Sequence, residues 1–176
     1  PFPRPPAAWP LAPAPVHLTH ASFGAVPTSV IEHPDALRAQ GARTPVAWFP
    51  PLGERTREAR ERTAPFVGAR PDDAAFVPNA SAAASVVYNA VHLEPGDEII
   101  VTDHGYGAVT MGAERLARRT GATIRTIAIP LLASDDEIVD RFATEVGERT
   151  RLVVVDQITS PTARLMPTRR IADVAA

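Results

Sequence analysis

Three short apolar runs constrain this chain most. Glu98–Val101, Thr123–Ile129 and Leu152–Val155 read as strands, and helical periodicity fills the gaps between them at Ala108–Thr120 and Asp135–Gly147. Strands so far apart in sequence cannot be joined by tight hairpins. A helical crossover joins them instead, and it leaves neighbouring strands parallel. The same alternation extends in both directions. Upstream, Ala74–Val77 reads as a strand and Ser81–Val91 as a helix; downstream, a helix begins at Thr168. The pattern predicts an α/β fold, a three-layer sandwich around a mostly parallel sheet.

Local signals sharpen the boundaries. Glu94-Pro95-Gly96-Asp97 is a turn sequence, and Gly121 stops the helix before it. Ser134 with Glu137 has the spacing of a capping box. The β-branched run at Leu152–Val155 predicts a strand buried on both faces. The region before the alternation differs. Residues 1–16 carry Pro1, Pro3, Pro5, Pro6, Pro10, Pro13 and Pro15 and predict an extended arm. Residues 17–70 read as a helical segment: a polar stretch His17–Gly24, a helix Thr28–Gln40 containing Pro34, and a helix Gly53–Val67 closed by Gly68. Residues 71–176 hold the α/β pattern.

Composition excludes several chemistries. The net charge of −2 gives no electrostatic reason to expect nucleic acid or an anionic membrane as partner. With no cysteine there is no disulfide, thiolate nucleophile or Cys-ligated metal. No apolar run is long enough to span a bilayer, and no signal peptide is visible, so a cytoplasmic location is expected. All 18 basic residues are arginine, so no lysine amine is available within these residues. No second ligand stands at metal-binding spacing from a histidine, so no metal site is expected.

Ligands of open α/β sheets sit beyond the carboxyl ends of the strands. Polar clusters occur at these ends: Asn79-Ala80-Ser81, Asp103-His104-Gly105-Tyr106, and Asp156 through Thr162. The first opens a helix, whose free N–H groups with a serine hydroxyl can take an anion; Ser81 as a plain helix cap is the alternative. His104, beside Gly105 and Gly107, can stack on a flat ligand or serve as a structural hydrogen-bonding group. Ser160 and Thr162 are site hydroxyls or ordinary turn residues.

In order and spacing, "HLTHASFGAVP", "FVPNASAAASVV", "LEPGDEIIVTDHGYGAV" and "RLVVVDQITSPTARLMPTRRIADVA" resemble the class V aminotransferase group of fold type I pyridoxal-phosphate enzymes, in its isopenicillin N epimerase-like branch. The resemblance runs from His17 to Ala176. It implies pyridoxal 5′-phosphate as cofactor, an amino-acid-type substrate, chemistry through a Cα carbanion (epimerisation, transamination or C–S cleavage), and a homodimer at full length. It implies that Asn79, Ala80 and Ser81 hold the cofactor phosphate and that His104 stacks on the pyridine ring. Ser160, with Thr162 close by, would lie near the phenolic oxygen. Thr19, His20, Ser22 and Tyr106 fall where substrate is contacted.

The chain departs from the usual pattern at Thr19 and Ala21, where the family has Asn and Gly, at Gln157 (His) and at Ala163 (Gly). The family's Schiff-base lysine and pyridine-nitrogen aspartate are expected beyond Ala176, so no catalytic residue is assigned here. Asp156 lies on a different strand from that aspartate. The chain starts without Met, and the helix from Thr168 leads towards a strand not yet reached. The expectation is therefore the first part of a longer protein, marginally stable alone. A non-catalytic, lysine-less module that binds phosphate ligands or a partner is the alternative.

Overall fold

Strand β1 (Glu98–Thr102) is hydrogen-bonded on both sides and buried at every residue. In the computed structural model, which describes residues 9–12, 14–20 and 22–176, it is the centre of a three-stranded sheet of order β2-β1-β3. β2 (Thr123–Ile127) and β3 (Thr150–Val153) both pair with it in parallel. The register sets Ile99 opposite Ile124 on one side and Leu152 on the other.

Side-chain alternation along β1 builds the two cores. Ile100 faces a cluster with Ile127, Ile138, Phe142 and Ile171, which brings in helices α6 (Asp135–Glu145) and α7 (Thr168–Ala175). Ile99 and Val101 face the opposite cluster, with Tyr88, Ala113 and Leu116 of α4 (Ala80–Ala90) and α5 (Gly107–Thr120). The result is helices, sheet, helices: the expected three-layer sandwich, formed by residues 77–176. Close approach of α4 and α5 depends on Gly112, where an added Cβ would lie 2.7 Å from the Tyr88 ring. Gly121 closes α5 at φ 78°, as its sequence position predicts.

The structure corrects several expectations. Ala74–Val77 is not a strand. Its backbone is extended at Ala74, but no strand of the sheet offers it a ladder, and Phe76 and Val77 remain exposed. Leu152–Val155 is not buried on both faces. β3 is an edge strand and only partly covered, so the fully buried strand is β1. β2 ends at Ile127 rather than Ile129, because the next residues leave the ladder to bond with the chain after β1.

Residues 1–76 form the other unit. Residues 1–8, Pro13 and Ala21 lie outside the described residues, so much of the expected arm does too; residues 9–12 and 14–16 carry no helix or strand. The helical segment comprises α1 (Thr28–Arg43), with Pro34 inside it, a short α2 (Pro45–Trp48) and α3 (Leu52–Thr63). A 3₁₀ turn (Ala64–Val67) follows and ends at Gly68 with φ 73°, and a second covers Pro71–Asp73. Arg55 lies over the Trp48 ring at 4.3 Å. Among the described residues no helix is long and apolar enough to cross a membrane.

Candidate functional site

At the carboxyl edge of the sheet the chain leaving β1 turns sharply. Asp103 and His104 together clamp one residue of the β2–α6 connection. The Ile129 N–H donates to Asp103 Oδ1 at 3.0 Å, and His104 Nε2 lies 2.8 Å from the Ile129 carbonyl. A carbonyl only accepts, so Nε2 carries a proton and donates. His104 is buried, with 6% of its surface exposed.

The chain leaving β3 meets the same histidine. Residues 157–166 fold into a short hairpin, with an Ile158–Leu165 antiparallel bridge and a Met166 N–H to Gln157 carbonyl bond of 2.8 Å. Its tip brings Thr162 Oγ1 to 2.8 Å from His104 Nδ1. Thr159, 2% exposed, sits beneath, its Oγ1 2.8 Å from that of Thr162. Arg164 pins the hairpin by donating to the carbonyls of Leu131 and Ala133. Ala163 occupies the left-handed region at φ 52°, where alanine costs about 1 kcal/mol and glycine is free.

A third tie joins β1 and β3 ends. The Tyr106 N–H donates to Asp156 Oδ2 at 3.0 Å, which fixes the residue that precedes α5. The Tyr106 side chain is left exposed. Burial first, and the Asp156 carboxylate second, push the Tyr88 phenol above its usual pKa, so it stays protonated and donates to the Val109 carbonyl at 3.0 Å.

Helix α4 approaches this edge by its N-terminus. The segment following α4 returns to the start of β1 beside the end of α5, where the Gly96 N–H donates to the Gly121 carbonyl at 3.2 Å. Arg119, in the last turn of α5, donates to Asn89 Oδ1 at 2.8 Å and to the Tyr88 carbonyl at 3.3 Å in the last turn of α4, so the two helices end together and α4, like α5, starts towards the edge where β1 ends. Asn79, not Ser81, is its N-cap: the Asn79 side-chain oxygen accepts from the Ala82 N–H at 2.9 Å. Among the described residues the N–H groups of Ala80 and Ser81 have no protein acceptor, and the first turn holds no acidic residue. Such an end attracts an anion.

A family profile, Aminotransferase class-V, matches residues 39–176. The chain belongs to the class V aminotransferase family. It is 35% identical over 173 residues to isopenicillin N epimerase of Amycolatopsis lactamdurans and 32% identical over 170 residues to that of Streptomyces clavuligerus. Each alignment takes in 94% of this chain and 42% of the relative, so the chain spans about two fifths of their length. Among solved structures, a C-DES variant with glycine covalently linked to its pyridoxal-phosphate cofactor superposes with a TM-score of 0.78 at 22% identity, over 86% of this chain and 40% of that one. That likeness establishes the fold.

The structure brings His104, Thr162 and the hairpin bearing exposed Ser160 together, and sets the Asn79–Ser81 helix start at the same sheet edge. Thr19, His20 and Ser22 belong to the other unit and form a local turn there. The Thr19 carbonyl accepts from Ser22 and Phe23, and the Ala25 N–H donates to His20 Nδ1 at 3.3 Å. Sequence reasoning missed Thr159, Arg164 and the Asp156–Tyr106 tie. The available signal was Thr159 and Thr162 on either side of Ser160-Pro161, the composition of a closed turn.

Proposed function

We propose that this chain forms the phosphate- and ring-holding part of a pyridoxal-phosphate-dependent enzyme that acts on an amino-acid-type substrate. The observation that carries the reading is His104: buried at the carboxyl edge of the sheet, with both ring nitrogens committed to protein partners. A histidine so engaged has no free nitrogen for acid–base work on a ligand. The role left to it is the ring-stacking one that the family resemblance implies.

The residues present fit pyridoxal 5′-phosphate. The Ala80 and Ser81 N–H groups and the Ser81 hydroxyl would hold its phosphate, with no carboxylate in that turn to repel it. Asn79 keeps the helix start in shape through its bond to Ala82. His104 would cover the ring, and Ser160 would reach the phenolic oxygen. Thr162 supports His104, and Tyr106 is assigned to the substrate. When bound, the cofactor supplies an electron sink for negative charge at a substrate Cα. Epimerisation, transamination and C–S cleavage all use that sink, and the family likeness supports the group as a whole. The homodimer and the cytoplasmic location belong to the same reading.

The test is cofactor binding by the full-length protein. Titration with pyridoxal 5′-phosphate should give a saturable change in the cofactor's absorbance. His104→Ala should alter the band position and weaken binding. An unchanged spectrum and affinity in both His104→Ala and Ser81→Ala would remove the assignment.

A further inference from the structure

The hydrogen bonds around His104 have a direction. Nε2 must donate, because its partner is the Ile129 carbonyl at 2.8 Å. In the neutral ring Nδ1 is then a bare acceptor, so the Thr162 hydroxyl at 2.8 Å donates to it. Having given its proton to Nδ1, Thr162 Oγ1 is an acceptor towards Thr159, whose hydroxyl donates to it at 2.8 Å. The other outlet for the Thr159 proton is the Arg164 carbonyl at 3.5 Å, too long to compete. Thr159 Oγ1 in turn accepts the Arg164 N–H at 2.9 Å. With the ring neutral, each proton in this chain has one place to go.

We propose that Thr162 and Thr159 are positioning residues that hold the His104 imidazole as its Nε2–H tautomer and lock the plane of its ring. The inference rests on the proposed cofactor reading only for the purpose of the lock. The lock itself is a property of the protein. The hairpin after β3 is how the fold delivers it. The turn closes through the Thr159 N–H to Arg164 carbonyl and Ala163 N–H to Thr159 carbonyl bonds, both 2.9 Å, and Arg164 anchors the turn to the β2–α6 connection. A ring held at both nitrogens presents one face in one orientation, without the rotational freedom a ligand would otherwise have to freeze. The Ala163 backbone at φ 52° shapes the same turn.

The test uses the full-length protein with 15N-labelled histidine. His104 is identified by loss of its signals in His104→Gln. In the cofactor-free protein we expect a protonated Nε2 and an unprotonated, hydrogen-bonded Nδ1. Thr162→Val should move the Nδ1 resonance to that of a free imine-type nitrogen, and Thr162→Ser should restore it. Thr159→Val should give a smaller shift in the same direction, which also covers failure of Thr162→Val to fold. With pyridoxal 5′-phosphate, Thr162→Val should bind about 5- to 10-fold more weakly, the loss of one hydrogen bond, and Thr162→Ser near parent affinity. A proton on Nδ1 in the parent protein, or an Nδ1 resonance that ignores both valine variants, would overturn the lock. If the parent fails to bind the cofactor while the resonances respond as expected, the lock stands and the cofactor reading falls.

Discussion

At the start of α6, Ser134 and Glu137 close a capping box, and Asp135, Asp136 and Glu137 crowd the first turn with carboxylates. At the start of α4, the Asn79 amide oxygen caps Ala82, and the turn that follows carries only small neutral side chains. Both helices lie against the same sheet. The α6 start is satisfied from within: the Ser134 hydroxyl and the Glu137 carboxylate meet its own amides, and the three carboxylates complement the helix dipole. The α4 start leaves that positive end unanswered. The difference teaches how the two ends of a scaffold can diverge: stability fills one helix end with its own charge, and the end proposed to hold a phosphate withholds it.

The sharpest way to break this comparison is to make α4 resemble α6. Ser81→Asp puts a carboxylate into the vacant turn and should weaken pyridoxal 5′-phosphate binding by the full-length protein about 100-fold, the scale of like-charge juxtaposition. Its thermal midpoint should hold or rise, because the same charge suits the dipole. Cofactor affinity near that of the parent would mean that the phosphate sits elsewhere.

A milder change follows. Ser81→Ala removes one hydroxyl donor and should cost roughly 1–2 kcal/mol of cofactor affinity, with no loss of stability, since Ser81 does not cap its helix. Its mirror image is Ser134→Ala, which should cost about 1 kcal/mol of stability and leave cofactor affinity alone. Measured together by titration and urea unfolding, the two variants should separate cleanly. A Ser81→Ala protein that loses stability but no affinity would reverse the roles assigned to the two helix starts.

How much of this was legible in the sequence depended on how local the signal was. The capping box at Ser134 and Glu137, the Gly121 stop and the alternation of strand and helix are set by neighbours in the chain, and the structure bears them out. Burial was harder. Leu152–Val155 carries the composition of a covered strand, yet coverage is decided by which strand lies beside it, and β3 is an edge. Ala74–Val77 failed for a related reason: strand composition does not supply a ladder partner. At the sheet edge, His104 was visible as a strand-end histidine. Its partners were not, because Ile129 and Thr162 lie 25 and 58 residues away in sequence. Thr159 was invisible for the same reason, since a threonine in a turn looks alike whether it faces solvent or a buried hydroxyl. The Asn79 cap was missed because both Asn and Ser are good caps, and only backbone geometry chooses between them.

The smallest expected effect is a pH dependence found at one helix start and missing from the other. The Glu137 carboxyl is held below its usual pKa chiefly by the Ser134 N–H, then by the Ser134 hydroxyl, with the Arg141 and Arg164 charges adding less. A carboxyl whose folded pKa lies below its unfolded one stabilises the fold fully above the unfolded value, roughly 4.3, and loses that contribution as pH falls through the folded value. The group is exposed, so solvent screening keeps the effect small. Ser134→Ala keeps the N–H and removes the hydroxyl, the second of these causes, so part of the lowering is lost. The stability gap between Ser134→Ala and the parent should therefore be constant near neutrality and narrow as the pH drops below roughly 4. The α4 start has no acidic residue in its first turn and a neutral amide as its cap. Asn79→Ala should cost about 1 kcal/mol of stability, and this gap should not change over the same acid range. Thermal midpoints of both variants and the parent, followed from neutral to acid pH, decide the matter. Parallel narrowing of both gaps would mean that the acid response is global and that Glu137 has no special part in it.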